Sequence, residues 1–416
     1  MISNDNNRCK VVIAGGGTGG HLYPAIAIAE EIKKQLPQAD ILFMGTDRGI
    51  ETRVLPIERY YVKLLRTEGF VGVSLRKKIW AFFKLIVAFF EAYSFLRKVR
   101  PNIVIGMGGY ASFVPVAVAA LLSIPIVIHE QNSIPGLANK LLAKIADKVC
   151  ITYESSLDYL PKNKSIITGN PIRERLMRAT RAEGINMFSL RDGLFTVLIF
   201  GGSAGARALN RAMMEALALL GQYKDNIQFL HQTGNNDYEL VRGAYQSSGF
   251  SGTVTPFIFN MPEAYAACDM LISRAGATTL AEITTIGIPS LLVPYPYAAG
   301  AHQEANAARL SSSNAAIMIK EQELTGEILA RHITSLCGDS TLRNRIGRDC
   351  KAFGKPDAGK RVAHIALMLM KDKSHYSDHR ERTDQSDRRE QTVQSDRRER
   401  TDQIKQEYDR CLTSTE

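Results

Sequence analysis

Four times along this chain a short apolar run gives way to a glycine-bearing turn and then to a helix-forming stretch. Few architectures accept that pattern other than open parallel sheets with helices on their faces. The clearest case is LISRAGATTLAEITTIGIPSLLVP at 271–294. It reads as a strand, a turn at Arg274, Ala275 and Gly276, a helix of three turns, and a second strand entered through Pro289. This order opens the helix at the carboxyl end of a strand, where such sheets bind ligands. Gly276 permits the sharp turn, and Thr278 or Thr279 is expected to cap the first helical turn. The unpaired N–H groups there carry roughly half a positive charge, which suits a diphosphate. Glu282 falls one turn further on, on the face of Thr278. A carboxylate cannot help to hold phosphate, but it can accept hydrogen bonds from a ribose diol. A plain βαβ unit with a solvated Glu282 accounts for the stretch equally well.

The other units follow the same grammar. GGGTGGH at 15–21 comes after an apolar strand and satisfies G-x-G-x-x-G. The match is undemanding, because five glycines around one Thr satisfy many patterns. The acid that should close the second strand is also misplaced: Asp40 precedes the strand at 41–44, and Asp47 lies too far on. The loop therefore reads as a phosphate or sugar cradle, with NAD binding as the lesser alternative. GMGGYAS at 106–112 is the second unit. A buried strand at 124–128 then runs into HEQNS at 129–133, where Ser133 replaces the second His of H-E-x-x-H and excludes a zincin. The pattern restarts after TGNP at 168–171, and FTVLIF at 195–200 leads into GGSAGAR at 201–207. Two doubly wound domains facing each other across a cleft are the natural reading.

With 45% hydrophobic residues among 416, the core can be large, and the six cysteines are scattered without C-x-x-C, as in a reduced cytosolic protein. The polar start and the short apolar run at 11–14 do not read as a secretory signal. A formal charge of +10 points to anionic partners, and without interleaved basic and aromatic residues nucleic acid ranks last among them. The segment at 76–100 is apolar at helical spacing, but Lys84 and Glu91 interrupt it, so it is not a spanning helix. It is either a core helix or one whose Trp80 edge, with Arg76, Lys77 and Lys78, rests on an anionic bilayer. Three nine-residue copies at 377–403 hold almost nothing apolar and are expected to be disordered.

GGGTGGHLYPA (15–25), GMGGYAS, HEQNS, GNPIR (169–173), GGSAGAR, SRAGATTLAE (273–282) and HQEANA (302–307) together resemble the MurG family of peptidoglycan N-acetylglucosaminyltransferases, glycosyltransferase family 28. The likeness runs in order over about residues 10–370. It implies the GT-B fold, with two doubly wound Rossmann-like parallel-sheet domains. A Rossmann-like acceptor and membrane-associating domain would span 8–170 and a UDP-GlcNAc-binding domain 171–355. A closing helix would follow at 356–371, and a tail at 372–416 lies outside the family pattern.

The resemblance further implies inverting transfer of GlcNAc from UDP-GlcNAc to the C4 hydroxyl of undecaprenyl-diphospho-MurNAc-pentapeptide (lipid I), giving lipid II for peptidoglycan synthesis. Another sugar-nucleotide enzyme of the same fold, such as an epimerase, is the alternative. Family roles map onto matching residues: the Ile258 backbone on uracil, and Ser203 with Ala277, Thr278, Thr279, Leu280 and Ala281 around the diphosphate. Glu282 would hold the ribose and Gln303 the sugar, with Arg173 and Asn132 reaching in from the hinge side. Thr18, Gly19, Gly20 and His21 would lie across the cleft, beside the acceptor diphosphate and the reacting hydroxyl. His21 is the first choice of base, because a neutral imidazole titrates near working pH, and Glu130 is the second. No D-x-D triplet occurs, so neither a metal nor another cofactor is expected. The implied partners are the donor, the lipid acceptor, an anionic membrane surface on the cytoplasmic face, and other cell-wall synthesis proteins.

Overall fold

The computed structural model describes residues 9–47, 49–66 and 75–371, without the side chains of 75–83 and 299. Seven strands form the first sheet: β1 (Lys10–Ala14), β2 (Asp40–Thr46), β3 (Tyr61–Leu65), β4 (Ile103–Gly106), β5 (Ile126–Glu130), β6 (Lys148–Ile151) and β7 (Ser165–Ile167). Their spatial order is 3-2-1-4-5-6-7. Six strands form the second: β8 (Phe195–Phe200), β9 (Ile227–Gln232), β10 (Gly252–Thr255), β11 (Met270–Ser273), β12 (Ser290–Leu292) and β13 (Ile317–Met318), in the order 10-9-8-11-12-13. Every pairing is parallel, β1 with β4 in the register Ala14 to Gly106 and β8 with β11 in the register Phe200 to Ser273.

In each sheet the strand order reverses once, between β1 and β4 and between β8 and β11. Helices depart to opposite faces there and leave a crevice beyond the strand ends. All four glycine-bearing turns follow one of those four strands. Both sheets belong to one compact unit that ends at Ala366.

Strand alternation explains why the sheets are covered on both sides. Phe195, Val197 and Ile199 of β8 join one apolar cluster with Leu209, Met213 and Leu329, while Leu198 and Phe200 join another with Tyr265, Leu280 and Ile283. Truncating one such leucine to Ala would cost roughly 2–5 kcal/mol. A final helical stretch covers 358–371. Its start returns to the first half: a Cβ on Gly359 would sit 3.3 Å from Glu31 Cγ and 3.6 Å from the Ala27 carbonyl, both on the helix Gly19–Gln35.

The segment at 76–100 is helical, Leu75–Val99, and no described helix is long and apolar enough to cross a membrane. The Arg76, Lys77, Lys78 and Trp80 side chains, and the repeats at 377–403, lie outside the described residues. The rest of that helix divides between core and surface. Ala88, Ala92 and Leu96 enter the core of the first half, while Ile86, Val87 and Phe90 are exposed.

Candidate active site

A cavity of about 470 Å³ lies between the carboxyl ends of the two sheets, within the usual range for a small-molecule site. It is lined by five of the seven motifs: residues 18–21 and 131–132 from the first half, and 201–204, 274, 276–279, 282 and 302–303 from the second.

The second-half wall is built on β11. The Arg274 guanidinium donates to the carbonyls of Val293 and Pro294, at 3.2 and 3.3 Å, and pairs with Glu321, so it holds the turn to the neighbouring loop. The helix then runs Ala277–Ile286 behind Gly276, and no side chain among the described residues caps it. That corrects the expectation for Thr278 and Thr279. The Thr278 hydroxyl instead donates to the Gly20 carbonyl at 2.9 Å and accepts from Asn170 Nδ2 at 3.3 Å, linking the helix start to the first half. Both threonines line the cavity, as does Ala277.

Glu282 is 6% exposed and accepts a 2.8 Å hydrogen bond from the Tyr265 hydroxyl. Burial pushes its carboxyl above the ordinary range, opposed by the Arg173 cation and by that hydrogen bond. A merely solvated Glu is thereby excluded. Burial, with Glu282 beside it, also holds the Tyr265 hydroxyl well above its usual value.

Two further contacts order this wall. Gln232, at the end of β9, accepts from the Ile258 N–H at 2.8 Å and donates to the Gly202 carbonyl at 2.9 Å. It thereby joins the expected uracil position to the loop that carries Ser203, which is exposed to the cavity. Gly205 in that loop has φ +79°, and a Cβ there would overlap the Thr233 carbonyl, so glycine is required. Gln303 Oε1 accepts from the Tyr295 N–H at 2.9 Å, which sets its amide at the cavity edge.

The first-half wall is the start of the helix Gly19–Gln35, with Thr18 as its N-cap. Gln131 Nε2 donates to the Met107 carbonyl at 2.8 Å, so Gln131 Oε1 is the atom 3.2 Å from His21 Nδ1. That contact requires the proton on Nδ1 and leaves Nε2 as the basic nitrogen. Burial lowers the His21 pKa below its ordinary value while the Glu130 charge opposes the shift, so the imidazole is neutral at neutral pH.

Four expected site residues do not line the cavity. Glu130 is 2% exposed, and its oxygens accept from the Asn132 N–H (2.9 Å) and Nδ2 (3.2 Å), the Gly136 N–H (3.2 Å) and Asn139 Nδ2 (2.8 Å). These donors tie Glu130 to its own loop, and the second choice of base stands outside the cavity lining. Leu280 faces the core and Ala281 packs against it. Both border a separate, smaller cavity behind the helix. Arg173 is buried with its guanidinium 4.1 Å over the Tyr23 ring, and its Nε and Nη2 have no hydrogen-bond partner among the described residues. Asn132 lines the cavity.

Sequence reasoning passed over Tyr23, Gln232 and Tyr265, and gave Gln131, within HEQNS at a strand's carboxyl end, no role of its own; all four line the cleft. Gln131 and Gln232 stand at or just after strand carboxyl ends, a positional signal that was available. Tyr265 had none, because it reaches Glu282 from another helix, Met261–Ala267.

Residues 11–151 match the glycosyltransferase family 28 N-terminal domain and 196–362 match its C-terminal domain. A Thermodesulfovibrio yellowstonii protein named UDP-N-acetylglucosamine–N-acetylmuramyl-(pentapeptide) pyrophosphoryl-undecaprenol N-acetylglucosamine transferase is 45% identical over 364 residues, covering 88% of this chain and 100% of that protein. The chain belongs to glycosyltransferase family 28. A Myxococcus xanthus relative of the same name is 43% identical, over 87% of this chain and 93% of its own. Among solved family 28 structures, Acinetobacter baumannii MurG superposes with a TM-score of 0.65 at 28% identity, over 86% of this chain and 99% of that one. The two-sheet architecture reaches beyond family 28. A UDP-GlcNAc 2-epimerase from Neisseria meningitidis has a TM-score of 0.61 at 14% identity, over 87% of this chain and all of its own, and shares the fold alone.

Proposed function

We propose that the cleft carries inverting transfer of GlcNAc from UDP-GlcNAc to the C4 hydroxyl of lipid I, giving lipid II. The observation that carries this reading is near full-length identity of 40–45% to relatives named for that transfer. The geometry supplies what the reaction requires. UDP departs beside the start of the helix Ala277–Ile286, whose N–H groups and positive end stabilise the charge it gathers. Ser203 and Thr279 border the same space, and Gln303 stands at the sugar end. Ionised Glu282 accepts from the ribose hydroxyls. Arg173, with two buried N–H-bearing atoms unpartnered among the described residues, adds positive charge beside Glu282.

Across the cleft, His21 Nε2 removes the proton from the acceptor hydroxyl as that oxygen attacks the anomeric carbon from the face opposite the departing UDP. Gln131 holds the tautomer this requires, and Glu130 holds the loop that carries Gln131 and Asn132. Among the described residues no group of three His, Cys, Asp or Glu side chains could hold a metal ion.

The acceptor's lipid chain calls for a bilayer edge. Leu137, Leu141 and Ile145 are exposed one turn apart on the helix Leu137–Ile145, with Lys140 and Lys144 between them. This helix and Leu75–Val99 both pack on the helix Gly109–Leu121, so Ile86, Val87 and Phe90 extend the same side of the first half. Apolar residues flanked by lysines suit an anionic interface. The deciding experiment is transfer of radiolabelled GlcNAc from UDP-GlcNAc to a lipid-linked muramoyl acceptor in the presence of EDTA. Labelled lipid product is expected; epimerised UDP-sugar without transfer would reject the assignment.

A further inference from the structure

The first glycine loop carries the G-x-G-x-x-G pattern of a dinucleotide site, yet in this fold it already holds an anion of its own. Glu51, in the helix Glu51–Ile57, is fully buried. Its Oε2 accepts from the Gly17 N–H at 2.8 Å, and its Oε1 accepts from the Thr46 N–H and hydroxyl, each at 2.8 Å. Thr46 ends β2 and Gly17 follows β1. The carboxylate therefore fills the crevice between the first two strand ends, where a dinucleotide-binding sheet would present loop amides to a pyrophosphate. The surrounding chain is shaped to it: a Cβ on Gly16 or Gly49 would overlap the carboxylate, and one on Gly45 would lie 2.8 Å from Glu51 Cγ. Among the described residues its partners are hydrogen-bond donors and none is a cation.

We propose that Glu51 is the resident anion of this loop, a positioning and specificity-determining residue. It occupies the amide that would otherwise face a phosphate, closes that crevice to nucleotides, and sets residues 18–21 on the acceptor side of the cleft. The catalytic part of this inference rests on the function proposed above; the loop geometry does not.

The chemistry gives a selective perturbation. Glu51→Gln keeps the volume but offers one oxygen and one NH₂ to three donors. If the oxygen stays with Thr46, the NH₂ meets the Gly17 N–H and the loop is released. In the full-length protein, amide hydrogen exchange of peptides covering 15–21 should quicken by about tenfold, while the loop at 201–207 is unchanged. Turnover should fall by about tenfold or more, with UDP affinity within twofold of the parent. Unchanged exchange at 15–21, or turnover within twofold with UDP affinity also kept, would overturn the proposal. If released loop amides come with lost UDP binding rather than lost turnover, the loop assignment stands and the placement of the donor in the second half fails. Should Glu51→Gln not fold, Thr46→Val leaves the Gly17 contact and the backbone N–H of residue 46 on Oε1, and removes only the hydroxyl donor. It should quicken exchange at 15–21 by a few-fold, and exchange equal to the parent's would overturn the idea.

Discussion

Replacing Glu282 separates the proposed donor site from the fold that surrounds it. Its carboxylate accepts from Tyr265 and stands close enough to Arg173 for the cation to favour its ionised form. Glu282→Ala removes the ribose acceptor, and a hydrogen bond to a charged group is worth on the order of 1.5–3 kcal/mol, or ~10–100-fold in UDP-GlcNAc affinity. It also strands the buried Tyr265 hydroxyl, at a cost of about 1–3 kcal/mol to stability. At roughly 2–4 °C per kcal/mol, the melting temperature should drop by several degrees. Glu282→Gln retains an oxygen for Tyr265, so it should melt closer to the parent while binding UDP-GlcNAc about tenfold more weakly. The pH dependence follows from the sign of the shift. Burial holds the carboxyl above 4.5, so ionising Glu282 costs the fold, and the parent should lose stability relative to Glu282→Gln as pH rises above 4.5. The assay is calorimetric binding of UDP-GlcNAc and of GlcNAc 1-phosphate, which has no ribose, beside thermal melts. Only UDP-GlcNAc should suffer. Equal losses for both ligands, or an Ala variant that binds UDP normally, would refute the placement of the ribose.

His21→Ala should lower turnover by ~10²–10⁴-fold with donor affinity little changed, and the acid limb of the parent's rate profile, lying below pH 6.5, should vanish with it. Buried His129 and His231 are pushed down to about 4 and about 3. Each is neutral in the fold but takes up a proton on unfolding below 6.5, so the pair should cost roughly 2.7 kcal/mol of stability per pH unit from 6.5 towards 4.5. Melting temperatures that stay level from pH 6.5 to 5 would mean that both charge within the fold. Replacing Leu137 and Leu141 with Ser should weaken co-sedimentation with anionic liposomes several-fold while a short-chain soluble acceptor is still used; unchanged sedimentation would place the membrane edge elsewhere. A chain ending at Lys371 should keep its melting temperature and turnover, since the repeats beyond it offer almost no apolar surface to bury, and a loss of several degrees would show that they dock.

The fold was legible because its determinants are local: a strand, a glycine turn and a helix recur within about thirty residues, and the parallel order follows from the repeat. The cleft was legible to the extent that it consists of strand-end loops. Side-chain roles were harder. Glu130 and Glu282 are both acids in the strand-end motifs, and only the neighbours that the fold brings to each separate them. Asn139 and Gly136 saturate the first, while Tyr265 and Arg173 leave the second facing the cavity. Thr278 looked like a cap because capping is local; its partner, Gly20, lies 258 residues away. Glu51 went unnoticed because a lone acid in a short helix carries no pattern, although the glycines that crowd it do.

The return of the last helix to the helix Gly19–Gln35 bears on how the protein is made. All strands of the first sheet have left the ribosome once residue 167 has emerged, yet the surface around Ala27 and Glu31 keeps waiting for Gly359. Nearly two hundred further residues must be translated, at about 5–20 per second, before that contact can form. For about ten to forty seconds the nascent first half therefore stands without that contact, and ribosomes stalled before residue 358 would hold it in that state.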